Sequence, residues 1–171
     1  MLRLAGCILV ISGCAGFAGS LCRDENTRLK LLKQIRSIYE NLKYYIAYQK
    51  AAVPEALRRI AGKGQEPFAP VFEEIYRKTY EEGENFPLVW KRYMDKALEG
   101  TPLTKAEKKL VLDFPACLGF MEEQAQAGAL DEVLREVNLH IEELEKGKKD
   151  KNKVIMSLGV AVGVLVSILL L

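Results

Sequence analysis

The sequence predicts an all-α fold: a cytoplasmic bundle of five to six helices between two terminal transmembrane helices. Three observations predict it. Charge is segregated, since residues 4–22 and 154–171 carry no charged side chain, and every Lys, Arg, Asp and Glu except Arg3 lies between them. The apolar residues of the middle recur at spacings of three and four, the period of a half-buried helix. No segment sustains a two-residue alternation between turn signals, so no strand is expected. The boundaries follow from the charge: 1–22 an N-terminal anchor, 23–153 the helical domain, 154–171 a C-terminal anchor.

The anchors are argued from length. A helix rises about 1.5 Å per residue, so about 18–20 apolar residues cross the hydrocarbon core. Each terminal run just reaches that length. Ser12, Gly16 and Ser20 place small residues four apart in the first run, and Gly159, Gly163 and Ser167 do so in the second. Such faces let membrane helices approach closely, so each is a candidate packing face against the other anchor or another subunit. A competing reading makes Arg3 the start of an export signal and Ile11-Ser12-Gly13-Cys14 a lipoprotein cleavage box. The product would be an exported lipoprotein acylated at Cys14, a surface-bound helical interaction module. The apolar stretch before Cys14 is short for that purpose, the chain stays apolar to Cys22, and the residues beyond Cys22 are strongly basic. The anchor is the preferred reading.

Orientation comes from the flanks. Arg23, Arg28, Lys30, Lys33 and Arg36 come after the first run, and Lys146, Lys148, Lys149, Lys151 and Lys153 precede the second. Basic residues stay on the cytoplasmic side, so the chain is expected to form a membrane hairpin with its middle in the cytoplasm. The lysines also suit anionic lipid, although a plain topology signal accounts for them.

Between the anchors the elements come in order. Leu29, Leu32, Ile35, Tyr39, Leu42 and Ile46 mark a first helix, continuous with the first anchor and ending near Val53-Pro54, because the residue before proline disfavours helical geometry. Pro54 opens a short helix to Ala61, as a first-turn proline does. Gly62-Lys63-Gly64 is a turn, since it lacks the spacing and the Lys-Ser/Thr ending of a phosphate loop. Phe68, Val71, Phe72, Ile75, Tyr76 and Thr79 mark a third helix that breaks at 83–85. Pro87 opens a fourth, with Val89, Trp90, Tyr93, Met94 and Ala97 on its apolar side. Thr104 with Glu107 fits a capping box at the start of the fifth. That helix carries Leu110, Phe114, Leu118 and Met121, and Pro115 should kink or split it. The last helix carries Leu130, Leu134, Val137, Ile141 and Leu144 and runs into the second anchor, with Gly128 dividing it from the helix before. The first and last helices are expected to lie side by side.

Little in this pattern suggests catalysis. A net charge of +2 argues against a dedicated nucleic-acid binder. Three of the four cysteines (Cys7, Cys14 and Cys22) lie in the first anchor and Cys117 stands alone, with no CxxC pair, so they read as small apolar residues. The single histidine, His140, has no partner motif. Glu73-Glu74, Glu81-Glu82 and Glu122-Glu123 are adjacent pairs, which diverge by about 100° on a helix and do not converge on one substrate. No catalytic residue, cofactor, metal or small-molecule substrate is therefore expected. Tyr39, Tyr44, Tyr45 and Tyr48 cluster on the first helix. Tyrosine is enriched at protein interfaces, which makes Tyr44, Tyr48, Gln49 and Lys50 the candidate partner-binding residues.

Taken together, these landmarks resemble the stage III sporulation protein AB family over essentially the whole chain. The resemblance rests on Val53-Pro54-Glu55-Ala56-Leu57, Trp90 following Gly83, Leu103-Thr104, Leu118-Gly119 followed by Glu122 and Gln126, and Ser157-Leu158-Gly159 with Gly163. Pro54, Trp90, Leu118, Gly119 and Gln126 are its marker positions. Glu122 stands where the family usually has aspartate, and Pro115 where it often has glycine. The resemblance implies a role in a multi-protein, secretion-like complex in the mother-cell membrane facing the forespore. It implies a middle domain similar to the cytoplasmic six-helix domain of the type II secretion platform protein. The partners it implies are a cytoplasmic ATPase of the same complex, its other membrane subunits and the lipid bilayer.

Overall fold

A computed structural model describes the backbone of residues 2–62, 67–118 and 123–170, and the side chains of 13, 23–62, 67–116, 118, 125–147, 154, 157 and 161. The described residues are all-helical, with no strand among them. Two compact units divide the chain: Met1–Lys30 with Ile141–Leu171, and Leu31–His140. The predicted anchors fall in the first unit. Among the described residues no helix is long and apolar enough to cross a membrane. The packing faces Ser12, Gly16, Ser20 and Gly159, Gly163, Ser167 lie outside the residues whose side chains are described, as do Cys7, Cys14, Cys22 and Cys117.

The second unit is built from a few strong local signals. Helix α1 (Leu2–Gln49) buries Leu31, Leu32, Ile35, Ile38, Tyr39, Leu42, Tyr45 and Ile46, one stripe of a 3.6-residue period. It stops at Gln49, a few residues before the predicted end. Lys50 takes a left-handed φ of 53°, and the Ala51 N–H donates to the Tyr45 carbonyl six residues back at 3.1 Å. A left-handed residue followed by this return hydrogen bond ends the helix, a place usually taken by glycine, because a side chain in that conformation costs about 1–2 kcal/mol.

Helix α2 (Val53–Ala61) has Pro54 in its first turn, where a missing N–H costs nothing, and Arg58 and Arg59 in its last, where cations suit the helix dipole. It buries Ala56, Leu57, Ile60 and Ala61. Gly62 caps it in a turn, while Lys63 and Gly64 lie outside the described residues.

Helix α3 (Ala69–Tyr76) runs into a π-turn at Arg77–Glu81, where periodicity alone predicts continuing α-helix to Thr79. Gly83, with φ 72°, then ends it, and the Glu84 N–H donates to Lys78 O at 3.0 Å. Inside the π-turn Thr79 Oγ1 is enclosed without a hydrogen-bond partner among the described residues.

Helix α4 (Phe86–Leu98) starts as predicted around Pro87, with Asn85 capping the Leu88 N–H. Helix α5 (Lys105–Leu112) opens with the predicted capping box. The Thr104 N–H donates to Glu107 Oε2 at 2.7 Å and the Glu107 N–H to Thr104 Oγ1 at 3.3 Å. Glu107 is 0 % exposed, a buried carboxylate accepting a backbone donor. The fifth helix then splits. A new helix, α6 (Phe114–Leu118), begins one residue before Pro115, so the proline again sits in a first turn. Helix α7 (Glu123–Leu170) passes straight through Gly128. The expected division there is therefore corrected: an exposed glycine costs a helix only about 1 kcal/mol, and the apolar stripe of Leu130, Val133 and Val137 outweighs it. Helices α1 and α7 are neighbours in this unit, joined by Lys43 Nζ to Asp131 Oδ1 at 2.6 Å.

The core of this unit is aromatic and centred on Trp90. Its ring lies 4.9 Å from Phe114, 5.9 Å from Phe86 and 6.1 Å from Phe72. Tyr39 stacks on the far side of this group, 5.0 Å from Phe114. The Trp90 indole N–H donates to the Val111 carbonyl at 2.9 Å, which satisfies one orphan acceptor at the end of α5. A void of about 10 Å³ bordered by Ile38, Tyr39, Phe72, Trp90 and Met94 is apolar and at the lower limit for one water, so it is a dry packing defect and no ligand site.

Candidate partner-binding surface

The residues that could meet a partner sit where each helix turns its polar side outward. On α1 the core takes Leu42, Tyr45 and Ile46. Tyr44 and Tyr48 face the other way, 51 % and 77 % exposed, with their rings 5.6 Å apart. Gln49 and Lys50 are exposed beside them. All four sequence-predicted surface residues are thus together and accessible.

Helix α2 extends this surface. Arg59 donates from Nη1 to Gln49 Oε1 at 2.7 Å and from Nε to Glu55 Oε1 at 3.1 Å. Its guanidinium lies 5.7 Å from the centre of the Tyr45 ring, within cation–π range. Arg58, the residue before it, reaches the other way and lies 4.6 Å over the Tyr76 ring of α3. Tyr76 stacks on Tyr80 at 5.2 Å and 14°, and Tyr80, on the π-turn, is 67 % exposed. Two consecutive arginines thus lie over two different tyrosines, Arg58 over Tyr76 and Arg59 over Tyr45, both buried.

A ring of ion pairs surrounds the π-turn. Arg77 bonds Glu74 at 2.7 Å and Glu82 at 2.6 Å, and Lys78 bonds Glu82 at 2.5 Å. Lys78 and Arg92 meet Glu84 at 3.7 and 3.1 Å. The Arg77 hydrogen bond holds the Glu74 carboxyl below its ordinary pKa. The Glu74 bond raises Arg77, and the Glu82 bond raises Lys78. These groups are partly or fully open to solvent, so the ring fixes local geometry and adds little stability.

Tyrosine and arginine dominate interface hot spots, because each presents a rigid apolar plane with a polar edge. Among the described residues no group of three or more metal-ligating side chains converges. His140 is half-buried on α7. The family-marker positions are distributed through the fold: Pro54 opens α2, Trp90 and Leu118 are buried, Gln126 is half-buried on α7, and Gly119 lies outside the described residues. Sequence reasoning missed Arg58, Arg59 and exposed Tyr80, while Tyr76 is buried on the apolar side of its helix as expected. The available signal was the repeated Tyr-x-x-x-Tyr spacing at 44–48 and 76–80.

The described residues thus form helices alone, with tyrosines and arginines exposed at the end of α1 and on α2. The family model for stage III sporulation protein AB matches residues 3–171, and the chain belongs to that family of sporulation proteins. It is 20 % identical over 171 residues to stage III sporulation protein AB of Bacillus subtilis (strain 168), covering all of both chains. No solved structure matches it.

Proposed function

We propose that this chain is a non-enzymatic platform subunit of a secretion-like channel complex between mother cell and forespore, linking a cytoplasmic ATPase to the membrane assembly. The observation that carries this reading is the family match along residues 3–171. Support comes from the sequence, where two uncharged runs flanked by basic residues fit a membrane hairpin with the helical domain inside the mother cell. The exposed Tyr44, Tyr48, Gln49 and Lys50 support a partner-binding role. In this reading Ser12, Gly16 and Ser20, with Gly159, Gly163 and Ser167, pack the anchors against one another or against sibling subunits.

Two measurements test the reading. A cysteine placed at the exposed position Ala125, with Cys117 replaced, should label with an impermeant maleimide only after lysis of sporulating cells. The complex's ATPase should co-purify with the full-length chain from mother-cell membranes. Labelling in intact cells, or membranes that retain the chain but never the ATPase, would count against it.

A further inference from the structure

We infer that residues 23–30 of α1 and 146–153 of α7 form a basic collar that binds the headgroup of an anionic phospholipid, with Lys148 and Lys151 placed to hold it at the seam between the two helices. This rests on the membrane-hairpin part of the platform reading, and it gives the basic flanks a ligand in addition to a topology role. Both segments belong to the first unit.

Helix register singles out two of these lysines. Helix α7 is unbroken from Glu123 to Leu170, so its heptad runs through the junction with the uncharged run. Leu130, Leu134, Val137, Ile141 and Leu144 alternate at spacings of four and three, and Leu130, Val137 and Ile141 are buried. The next two places in this register are 148 and 151, followed by 155 and 158. Ile155 and Leu158 continue the apolar stripe, whereas 148 and 151 are both lysine. Helix α1 repeats the pattern. One heptad before the buried Leu32 and Ile35 stand Glu25 and Arg28, both half-buried, and the place before them returns to Leu21. Each helix thus interrupts its apolar stripe at the same two places, three and six residues from its uncharged run. The four interrupting residues are three cations and one acid. A topology signal is indifferent to helix face. Lysine at two successive packing positions weakens helix pairing, a cost that a collar serving topology alone avoids by keeping its charge on the outer face.

Charge and depth select the occupant. Residues 23–30 and 146–153 hold eight Lys and Arg against Asp24, Glu25 and Asp150, a net +5, whereas 31–145 is net −4. Glu142 meets Lys146 at 3.7 Å, yet counting Glu142, Glu143 and Glu145 into the collar still leaves it net +2. The acids on neighbouring turns therefore do not neutralise it. At about 1.5 Å per residue the collar lies within roughly 12 Å of the uncharged runs. The headgroup layer occupies that depth, and its concentrated anion is the lipid phosphate. A nucleic acid or an acidic protein approaches from the other side, past Glu142, Glu143 and Glu145, which repel it. Val154, the first residue of the second uncharged run, is 58 % exposed and offers apolar surface to an acyl chain next to Lys153.

The experiment titrates phosphatidylglycerol or phosphatidylcholine into the full-length chain in a neutral detergent and reads retained lipid by native mass spectrometry. The wild type should hold phosphatidylglycerol about tenfold or more tightly than phosphatidylcholine, and added salt should narrow the difference. Lys148→Gln with Lys151→Gln should lose most of that preference. Lys91→Gln with Lys96→Gln removes the same charge from exposed positions on α4 and should keep it. Lys148→Leu with Lys151→Leu completes the apolar stripe, so it should lose the preference while raising the unfolding temperature, which separates lipid binding from a folding defect. Detergent has no sides, so a topology role alone leaves phosphatidylglycerol binding equal in the wild type and both 148/151 variants, and that result overturns the collar site. Equal loss in the α4 variant, or displacement of the lipid by equimolar inorganic phosphate, also overturns it. None of these results touches the platform reading, which maleimide labelling and ATPase co-purification test separately. Release of the wild type from membranes by alkaline carbonate overturns both.

Discussion

The molecule uses aromatic stacks twice, and the two uses differ in what lies between the rings. Around Trp90, Phe72, Phe86, Phe114 and Tyr39 close on one another with a single indole hydrogen bond to Val111 O. Around Arg58 and Arg59, Tyr76 stacks on exposed Tyr80, Tyr44 meets Tyr48 at a tilt, and solvent-open guanidinia lie over the Tyr76 and Tyr45 rings. The first arrangement gains its energy on folding. The second keeps part of its surface in contact with solvent, where it remains available to another molecule. Ring identity alone therefore says little; burial and the position of the polar edge decide between fold and recognition.

The comparison breaks if the two groups respond alike to truncation. Trp90→Ala should destabilise the full-length chain by about 3–5 kcal/mol, read by chemical unfolding in detergent, because it removes a buried indole and leaves a cavity. Tyr48→Ala, at the solvent-facing group, should change stability by no more than about 0.5 kcal/mol. A large loss at Tyr48 would show that the surface tyrosines belong to the core.

A smaller effect sharpens the boundary between them. Thr104→Ala removes one half of the capping box that positions α5, and with it the Val111 carbonyl that Trp90 contacts. The expected cost is about 1 kcal/mol in the same unfolding measurement. Lys50→Gly works in the opposite direction. It relieves the left-handed lysine and should stabilise the domain by roughly 1 kcal/mol or less, since glycine returns part of the gain as chain entropy. A destabilised Lys50→Gly would mean that the lysine side chain contributes more to folding than its backbone costs.

The weakest expected effect is acid sensitivity at the π-turn. The Glu74 carboxyl is held below its ordinary pKa by the Arg77 hydrogen bond, so its contribution is complete above the ordinary carboxylate pKa and fades as pH falls through the depressed one. Lys78, raised by Glu82, contributes below the ordinary lysine pKa and loses that contribution as pH rises through the elevated value. Melting temperature against pH for Glu74→Gln should run slightly below the wild type near neutrality and converge with it at low pH, giving a shallower acid limb.

Much of the fold was legible because its signals are local. The α1 stripe, the first-turn prolines 54 and 87, and Thr104 with Glu107 each act within a few residues and reappear as expected. The features that were not legible depend on contacts made elsewhere. Nothing about a lysine announces a left-handed conformation at position 50. Gly128 reads as a breaker until the buried stripe after it is weighed against it. The π-turn at 77–81 leaves no mark in the apolar periodicity, which reads on as regular helix to Thr79. Half of the surface was visible for the same reason: Tyr44 and Tyr48 share one helix, whereas Arg58 reaches Tyr76 only after α2 and α3 are packed.

The wide turn after α3 also sets how the chain tolerates a change in length. A π-turn closes over five residues where an α-turn closes over four, so it stores one residue beyond what regular winding needs. Excising Thr79 would let the coil rewind at that spot, with Phe72 upstream and Gly83 downstream as fixed ends. The buried aromatics would keep their places, as an unchanged Trp90 emission spectrum would report. Tyr80 would then follow Tyr76 by three residues where it now follows by four, and the stack between the two rings would have to re-form at the shorter spacing. The wide turn thus sets the spacing of one ring pair and leaves the buried architecture around it unchanged.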